Sequence, residues 1–169
     1  MQFKIQITLL LSLTLAFSSC LPKIEDPVYI PPYSGYWYID DEKVESDYTR
    51  RFESFGTYLY AQSKSINATS DIVHLLEIHY GGGLPSDGTY TIVGKEDDLD
   101  LTNKEVFITM HNGLTGTRYN STNDTKTVGI SIMENGRMKV TAPTITLKKE
   151  YGDGKDSILF SCEIIELAD

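Results

Sequence analysis

From residue 35 onward, apolar side chains recur at every second position. Val128, Ile130 and Ile132 alternate with Gly129, Ser131 and Met133, while Ile158, Phe160, Cys162 and Ile164 form one row with Ser161 and Glu163 on the other side. A period of two puts alternate side chains on opposite faces of a pleated strand, which is the pattern of a half-buried sheet. Met138, Val140 and Ala142 keep this phase until Pro143, after which Ile145 and Leu147 resume it shifted, so a bulge or an edge is expected there. Further strands are expected at 35–39, 57–62, 72–80, 89–93 and 105–111. Gly81-Gly82-Gly83, Ser86-Asp87-Gly88, Glu134-Asn135-Gly136 and Gly152-Asp153-Gly154 supply turns, and Asn135-Gly136 is the best hairpin signal. Val44, Tyr48, Phe52 and Phe55 also fit a helical face, but the β-rich surroundings favour a short strand. The expectation is an all-β domain over residues 34–169, an antiparallel β-sandwich of about eight or nine strands, with a lipocalin-like β-barrel as the alternative.

Composition narrows the partners. The 169 residues suit a single core of ordinary size, and 40% hydrophobic with 23% charged residues is globular rather than disordered. Fifteen Lys and Arg against 24 Asp and Glu give a net charge of -9. A nucleic acid partner, which needs a basic footprint, is excluded on this basis, as is charge-driven attraction to an anionic membrane. Two Cys make one bridge at most, so the chain is no disulfide scaffold.

The first residues read as an address. Lys4 precedes a short apolar stretch, 5–17, which as a helix spans about 20 Å against a membrane core of about 30 Å. Phe17-Ser18-Ser19-Cys20 resembles the lipobox of bacterial lipoproteins, with Phe17 where that box usually has Leu. The resemblance implies a signal peptide over 1–19, removed ahead of Cys20, and a diacylglycerol on the Cys20 thiol that holds the chain in the membrane. Acyl chains contribute about 0.8 kcal/mol per buried CH₂, so two or more anchor stably. Pro22, Pro27, Pro31 and Pro32 make residues 20–33 an extended tether, roughly 40 Å long at about 3.1 Å per residue. Lys23, Glu25 and Asp26 resemble the charged export signal that follows the Cys in surface lipoproteins of Bacteroidota. The periplasmic face and the cell surface of the outer membrane both stay open as locations.

Gly35-Tyr36-Trp37-Tyr38-Ile39 with the Asp-rich turn after it, then Ile78, Asp87-Gly88-Thr89-Tyr90-Thr91-Ile92, Tyr119, Ser121 and Val128-Gly129-Ile130-Ser131-Ile132, resemble a group of small Bacteroidota lipoproteins over most of residues 35–167. That resemblance implies a β-sandwich or lipocalin-like barrel and carries over no activity. Asp156-Ser157-Ile158 resembles the short O-glycosylation sequence of exported proteins in the same group, which would place a sugar on Ser157.

Chemistry is sparse. His74 and His79 are five apart and face opposite sides of one strand; Glu77 and His79 share a face that His111 could join from a neighbour. Exposed His and Glu on a wet sheet face is the favoured reading, and no metal is expected. Glu96, Asp97, Asp98 and Asp100 lack the glycine bend of a calcium loop and read as solvated. Cys162 sits on the core face beside Glu163, the wrong neighbour for a nucleophile. No Gly-x-Ser-x-Gly elbow, phosphate loop, HExxH or CxxC occurs, and neither an enzyme nor a cofactor is expected.

The 11 Tyr are the unusual feature. On alternation, Trp37 and Ile39 face the core while Tyr36 and Tyr38 line a half-exposed face, and Tyr58 and Tyr60 share a face of the following strand. Such rings stack on sugars or anchor protein interfaces. The expected function is therefore a lipid-anchored, non-catalytic envelope protein that binds a glycan or a protein through Tyr36, Tyr38, Tyr58 and Tyr60. A lipocalin-like carrier of a small apolar ligand and a structural or adhesion subunit offering an edge strand are the alternatives. Cys20→Ser should move the protein from the membrane pellet to the soluble fraction and abolish incorporation of labelled fatty acid. An unchanged pellet would contradict the anchor.

Overall fold

A computed structural model describes residues 35–52, 57–63, 74–81, 84–100 and 102–167. Cys20, the 1–19 leader, the 20–33 tether and Phe55 lie outside these residues. The strands are β1 (Gly35–Ile39), β2 (Glu42–Glu45), β3 (Tyr48–Phe52), β4 (Thr57–Ser63), β5 (His74–Tyr80), β6 (Gly88–Ile92), β7 (Glu105–Asn112), β8 (Thr117–Ser121), β9 (Asp124–Ile132), β10 (Met138–Tyr151) and β11 (Ser157–Ile165). The fold is all-β; among the described residues the helical content is one 3-10 turn, Glu96–Asp98. No helix among them is long and apolar enough to cross a membrane. The ambiguous stretch is β2 and β3, with Val44 turned into the core and Tyr48 and Phe52 only half-buried.

The described residues hold eleven strands against the eight or nine expected, all in one hydrogen-bonded sheet: ten follow the order β2-β1-β11-β10-β9-β6-β7-β5-β4-β3, and β8 lies off this path, paired with β10 and β7. One pair, β6 with β7, is parallel, which the antiparallel expectation did not include. The middle of the sheet forks. β10 pairs with β9 through residues 138–141 and with β8 through 147–151. β7 pairs with β6 near Glu105 and Val106 and with β8 through 109–112. The pair β9-β6 and the strand β8 thus share one edge of β10 and one edge of β7, whose other edges carry β11 and β5, so β10-β9-β6-β7-β8 is a closed circuit within the sheet, a fork, with β11-β1-β2 beyond it on one side and β5-β4-β3 on the other.

A strand-to-strand fork of this kind strands backbone groups, which cannot stay buried without partners. Ser121, 2% exposed, resolves it at the fork between β6 and β8. Its Oγ accepts the Ile108 N–H at 3.1 Å and donates to the Val93 carbonyl at 2.7 Å. A second buried serine stands where the chain steps from β2 to β3, that is, from one end of the strand order to the other. There the Ser46 N–H donates to Gly35 O and the Asp47 N–H to Gln62 O, while Ser46 Oγ pairs with Thr49 Oγ1 at 2.9 Å. The same two ends are tied again behind β11. Leu167 N–H donates to Thr49 O, and the Glu166 carboxylate accepts from Arg51 Nε at 3.2 Å and from the Met138 N–H at 3.0 Å.

Inside, Trp37, Phe160, Leu59, Leu76, Ile108, Met110, Leu147 and Ile164 are each fully buried in one continuous core. Trp37 is in the core and Tyr38 outside it, as alternation requires. The register of β10 on β11 slips between Ala142 and Ile145, which is the bulge Pro143 announces. Gly136 takes φ +77° in the β9–β10 hairpin, and its N–H donates to Met133 O at 2.8 Å. Gly35 combines φ +123° with a close approach, since a Cβ there would lie 2.3 Å from Glu163 O. Ser121→Ala leaves the Ile108 N–H and the Val93 carbonyl buried without partners. It should lower the unfolding free energy by about 1–3 kcal/mol, read as a lower urea midpoint at unchanged slope; an unchanged midpoint would show that the fork does not need its hydroxyl.

Candidate functional site

The outward side of β3, β4, β5 and β7 carries a row of rings. Their neighbours in sequence, Thr49, Leu59, Ala61, Leu76, Ile78, Val106 and Ile108, are buried in the interior, so the pleat sends Tyr48, Phe52, Tyr58, Tyr60, His79 and Phe107 the other way. Register then places one ring per strand in line: Phe52 opposite Tyr58, Tyr58 opposite His79, His79 opposite Phe107. Phe52 and Tyr58 stack with centroids 5.4 Å apart and planes at 18°, and Tyr58 and His79 stack at 5.2 Å and 23°. His79 meets Phe107 at 6.0 Å. Tyr60 lies edge-on to Phe52 at 5.8 Å and to Tyr48 at 6.2 Å, and its hydroxyl donates to Gln62 Oε1 at 3.1 Å. Cross-strand aromatic pairs of this kind contribute beyond their buried area.

Carboxylates border the rings. His79 Nδ1 lies 3.2 Å from Glu96 Oε1, and its Nε2 lies 3.5 Å from Glu77 Oε2. Glu77 is held below the ordinary carboxylate range chiefly by its contact with His79, against the opposing effect of burial. Tyr60 is raised, first by burial and then by the Glu77 charge. Farther along the same outer face, Arg118 Nε donates to Thr109 Oγ1 at 2.9 Å, Thr109 Oγ1 to Asn120 Oδ1 at 2.9 Å, and Asn120 Nδ2 to Glu150 Oε2 at 3.0 Å. The face thus runs from rings on β3 and β4 to fixed hydrogen-bonding groups on β8 and β10.

The four tyrosines named from the sequence fall into two clusters. Tyr58 and Tyr60 belong to the row. Tyr36 and Tyr38 sit on β1, edge-on to each other at 5.7 Å, with Lys43 Nζ 4.8 Å from the Tyr36 ring. Phe52, Tyr48 and Phe107 escaped the sequence reading as site residues. Phe107 is outward yet only 3% exposed, and β7 is buried on both faces, a pattern that alternation alone does not separate from a core strand.

Of the remaining candidates, His74 turns inward and His79 outward, as five-residue spacing demands. His111 lies on the outer face but stands opposite Leu75 rather than Glu77. Among the described residues, no three His, Cys, Asp or Glu side chains gather closely enough to hold a metal ion. Glu96, Asp97 and Asp98 form the exposed 3-10 turn, while Asp100 Oδ1 accepts from Thr102 N and Oγ1. Cys162 is 4% exposed, and burial pushes its thiol up to about 12, which removes the thiolate a nucleophile needs. Ser157 is exposed at the first position of β11. Compared with family models, curated proteins and solved structures, the chain matches none.

Burial lowers both His74 and His111, in each case as the largest cause. The unfolded chain therefore takes up protons that the folded chain resists, and stability falls as pH drops below the ordinary histidine value of 6.5. The urea midpoint should be lower at pH 5.5 than at pH 7.5. His74→Leu, which keeps an apolar side chain on the inward face of β5, should shrink that difference; an unaltered difference would remove His74 from the account.

Proposed function

We propose that this protein is a non-catalytic, lipid-anchored binding module of the cell envelope, and that its ligand is a glycan. The observation that carries the reading is the row Phe52–Tyr58–His79, three rings in contact, turned away from the core on the outer face of the sheet. Sugar rings combine an apolar face with a rim of hydroxyls. Tyr58, Tyr60 and Phe52 supply the matching apolar surface, and Glu77, Gln62, Asn120 and Arg118 supply donors and acceptors, the last two held in place by the buried Thr109. The anchor at Cys20 and the tether over 20–33 fit this use, since they would hold the domain at a distance from the bilayer.

The two alternative readings have less to draw on. A carrier needs an enclosed space, whereas Trp37, Phe160 and Met110 turn fully buried side chains into the interior together with aliphatic ones around them. An edge-donating subunit needs a long apolar edge, whereas β2 is four residues long and reads Glu-Lys-Val-Glu, a charged and short edge of the kind that blocks pairing.

Retention of the full chain, in detergent micelles, on immobilised neutral polysaccharides tests the reading. Tyr58→Ala with Tyr60→Ala should weaken retention about tenfold or more, at about 0.5–1.5 kcal/mol per ring contact. Tyr36→Ala with Tyr38→Ala, on the separate cluster, should leave it near wild type. Equal binding by all three chains, or none by the wild type across a broad glycan panel, would refute the proposal.

A further inference from the structure

On the outer face of β3, β4, β5 and β7 the chemistry repeats across the strands and changes along them. Across them, register sets Phe52 against Tyr58, Tyr58 against His79 and His79 against Phe107, one ring per strand. Along them, His79 gives way to Glu77 and Leu75 on β5, and Phe107 to Thr109 and His111 on β7. Outward side chains recur at every second residue, so a second row runs parallel to the rings, roughly 7 Å away. It sets Tyr60 opposite Glu77, Glu77 opposite Thr109 and Thr109 opposite Asn120.

The step along the ring row is regular. Phe52 to Tyr58 is 5.4 Å and Tyr58 to His79 is 5.2 Å, with planes at 18° and 23°, so these three rings offer nearly the same aspect to a ligand. Strand spacing, about 4.8 Å, sets that step, and it is close to the length of one pyranose unit in an extended chain. The row is also bounded. Phe52 stands on β3, the last strand of the order, and Phe107 at the other end is only 3% exposed, whereas Phe52, Tyr58 and His79 are half-buried. A lone sugar would use one ring; a polymer of like units uses all three.

Charge narrows the polymer further. The chain carries a net charge of -9, and Glu77 and Glu96 flank His79 at 3.5 and 3.2 Å. Glu77 is held below the ordinary carboxylate range, chiefly by its contact with His79, so it stays ionised at neutral pH. Arg118, the nearest strong cation on this face, is already paired with Glu150. A chain of uronic acids would add one carboxylate per unit beside these acids and meet repulsion.

We propose that the ligand of this face is an extended, neutral, β-1,4-linked polysaccharide lying across the strands, with three successive units on Phe52, Tyr58 and His79 and its hydroxyls toward the row from Tyr60 to Asn120. The inference rests on the glycan reading and adds the kind of chain, its direction and its footprint. The row is straight, which suits the ribbon of a β-1,4-linked chain and not the coil of an α-linked one.

Titration of the full chain, in detergent micelles, with glucose, xylose and mannose oligomers of one to six β-1,4-linked units tests it. In the preferred series affinity should rise roughly three- to tenfold with each unit up to the trimer, one ring contact per unit, and level off beyond it. Phe52→Ala, at the outer end of the row, should remove the gain at the third unit and keep the gain at the second. Oligogalacturonates of the same lengths should bind about tenfold or more weakly, through like-charge repulsion. Binding in none of the three series, a monomer as good as the trimer, a steady rise to the hexamer, a length profile unchanged in Phe52→Ala or an oligogalacturonate equal to the neutral trimer would overturn the inference. Any of these, with retention on another polysaccharide intact, would leave the glycan reading standing.

Discussion

The hydroxyl of Ser121 is where the architecture is decided. Two strands, β6 and β9, fit between β7 and β10 at one end, and one strand, β8, fits at the other. A sheet that narrows from two strands to one leaves a gap in the ladder, and a gap in a buried ladder costs about 1–3 kcal/mol for each unpaired group. Ser121 Oγ fills it with one accepted and one donated bond. Ser46 serves the other discontinuity, between β2 and β3, with its N–H and Oγ both engaged. Both serines are buried, and both stand at a break in the strand pairing.

Closure has a consequence for the outer face. With the middle strands locked into a circuit, β7 has a fixed twist and a fixed register, and β5, β4 and β3 inherit it strand by strand. The alignment of Phe52, Tyr58, His79 and Phe107 follows from that inheritance: each pair is directly opposite in the register of its two strands. A slip of one residue anywhere between β3 and β7 would send the rings to the core and Leu59, Leu76 and Ile108 to solvent. Burial of the apolar set and alignment of the rings are therefore enforced together.

Much of this was legible in the sequence, and the exceptions have physical reasons. Strand β1, the β9–β10 hairpin with Asn135-Gly136, the bulge at Pro143 and the burial of Cys162 all announce themselves through alternation or turn chemistry. Strand β8 does not. Its inward residues are Thr117, Tyr119 and Ser121, so a search for alternating aliphatics passes over it, although these positions are as buried as any. The fork is invisible for the same reason, since a serine chosen to satisfy backbone groups looks like a loop residue in a one-dimensional string. Tyr58 and Tyr60 were legible as one face of a strand, but their grouping with Phe52 and His79, and their separation from Tyr36 and Tyr38, are matters of strand order. Strand order is set by long-range closure, and period-two patterns carry no information about it.

The central claim, a closed circuit sealed by a side chain, is tested most directly at one amide. The Ile108 N–H points at Ser121 Oγ rather than at a backbone carbonyl. If the circuit is closed there, hydrogen exchange at Ile108 should be as slow as at Val106 and Met110 on the same strand. Exchange at Ile108 faster by orders of magnitude, with its neighbours still protected, would mean that water reaches the fork and that the circuit is open there.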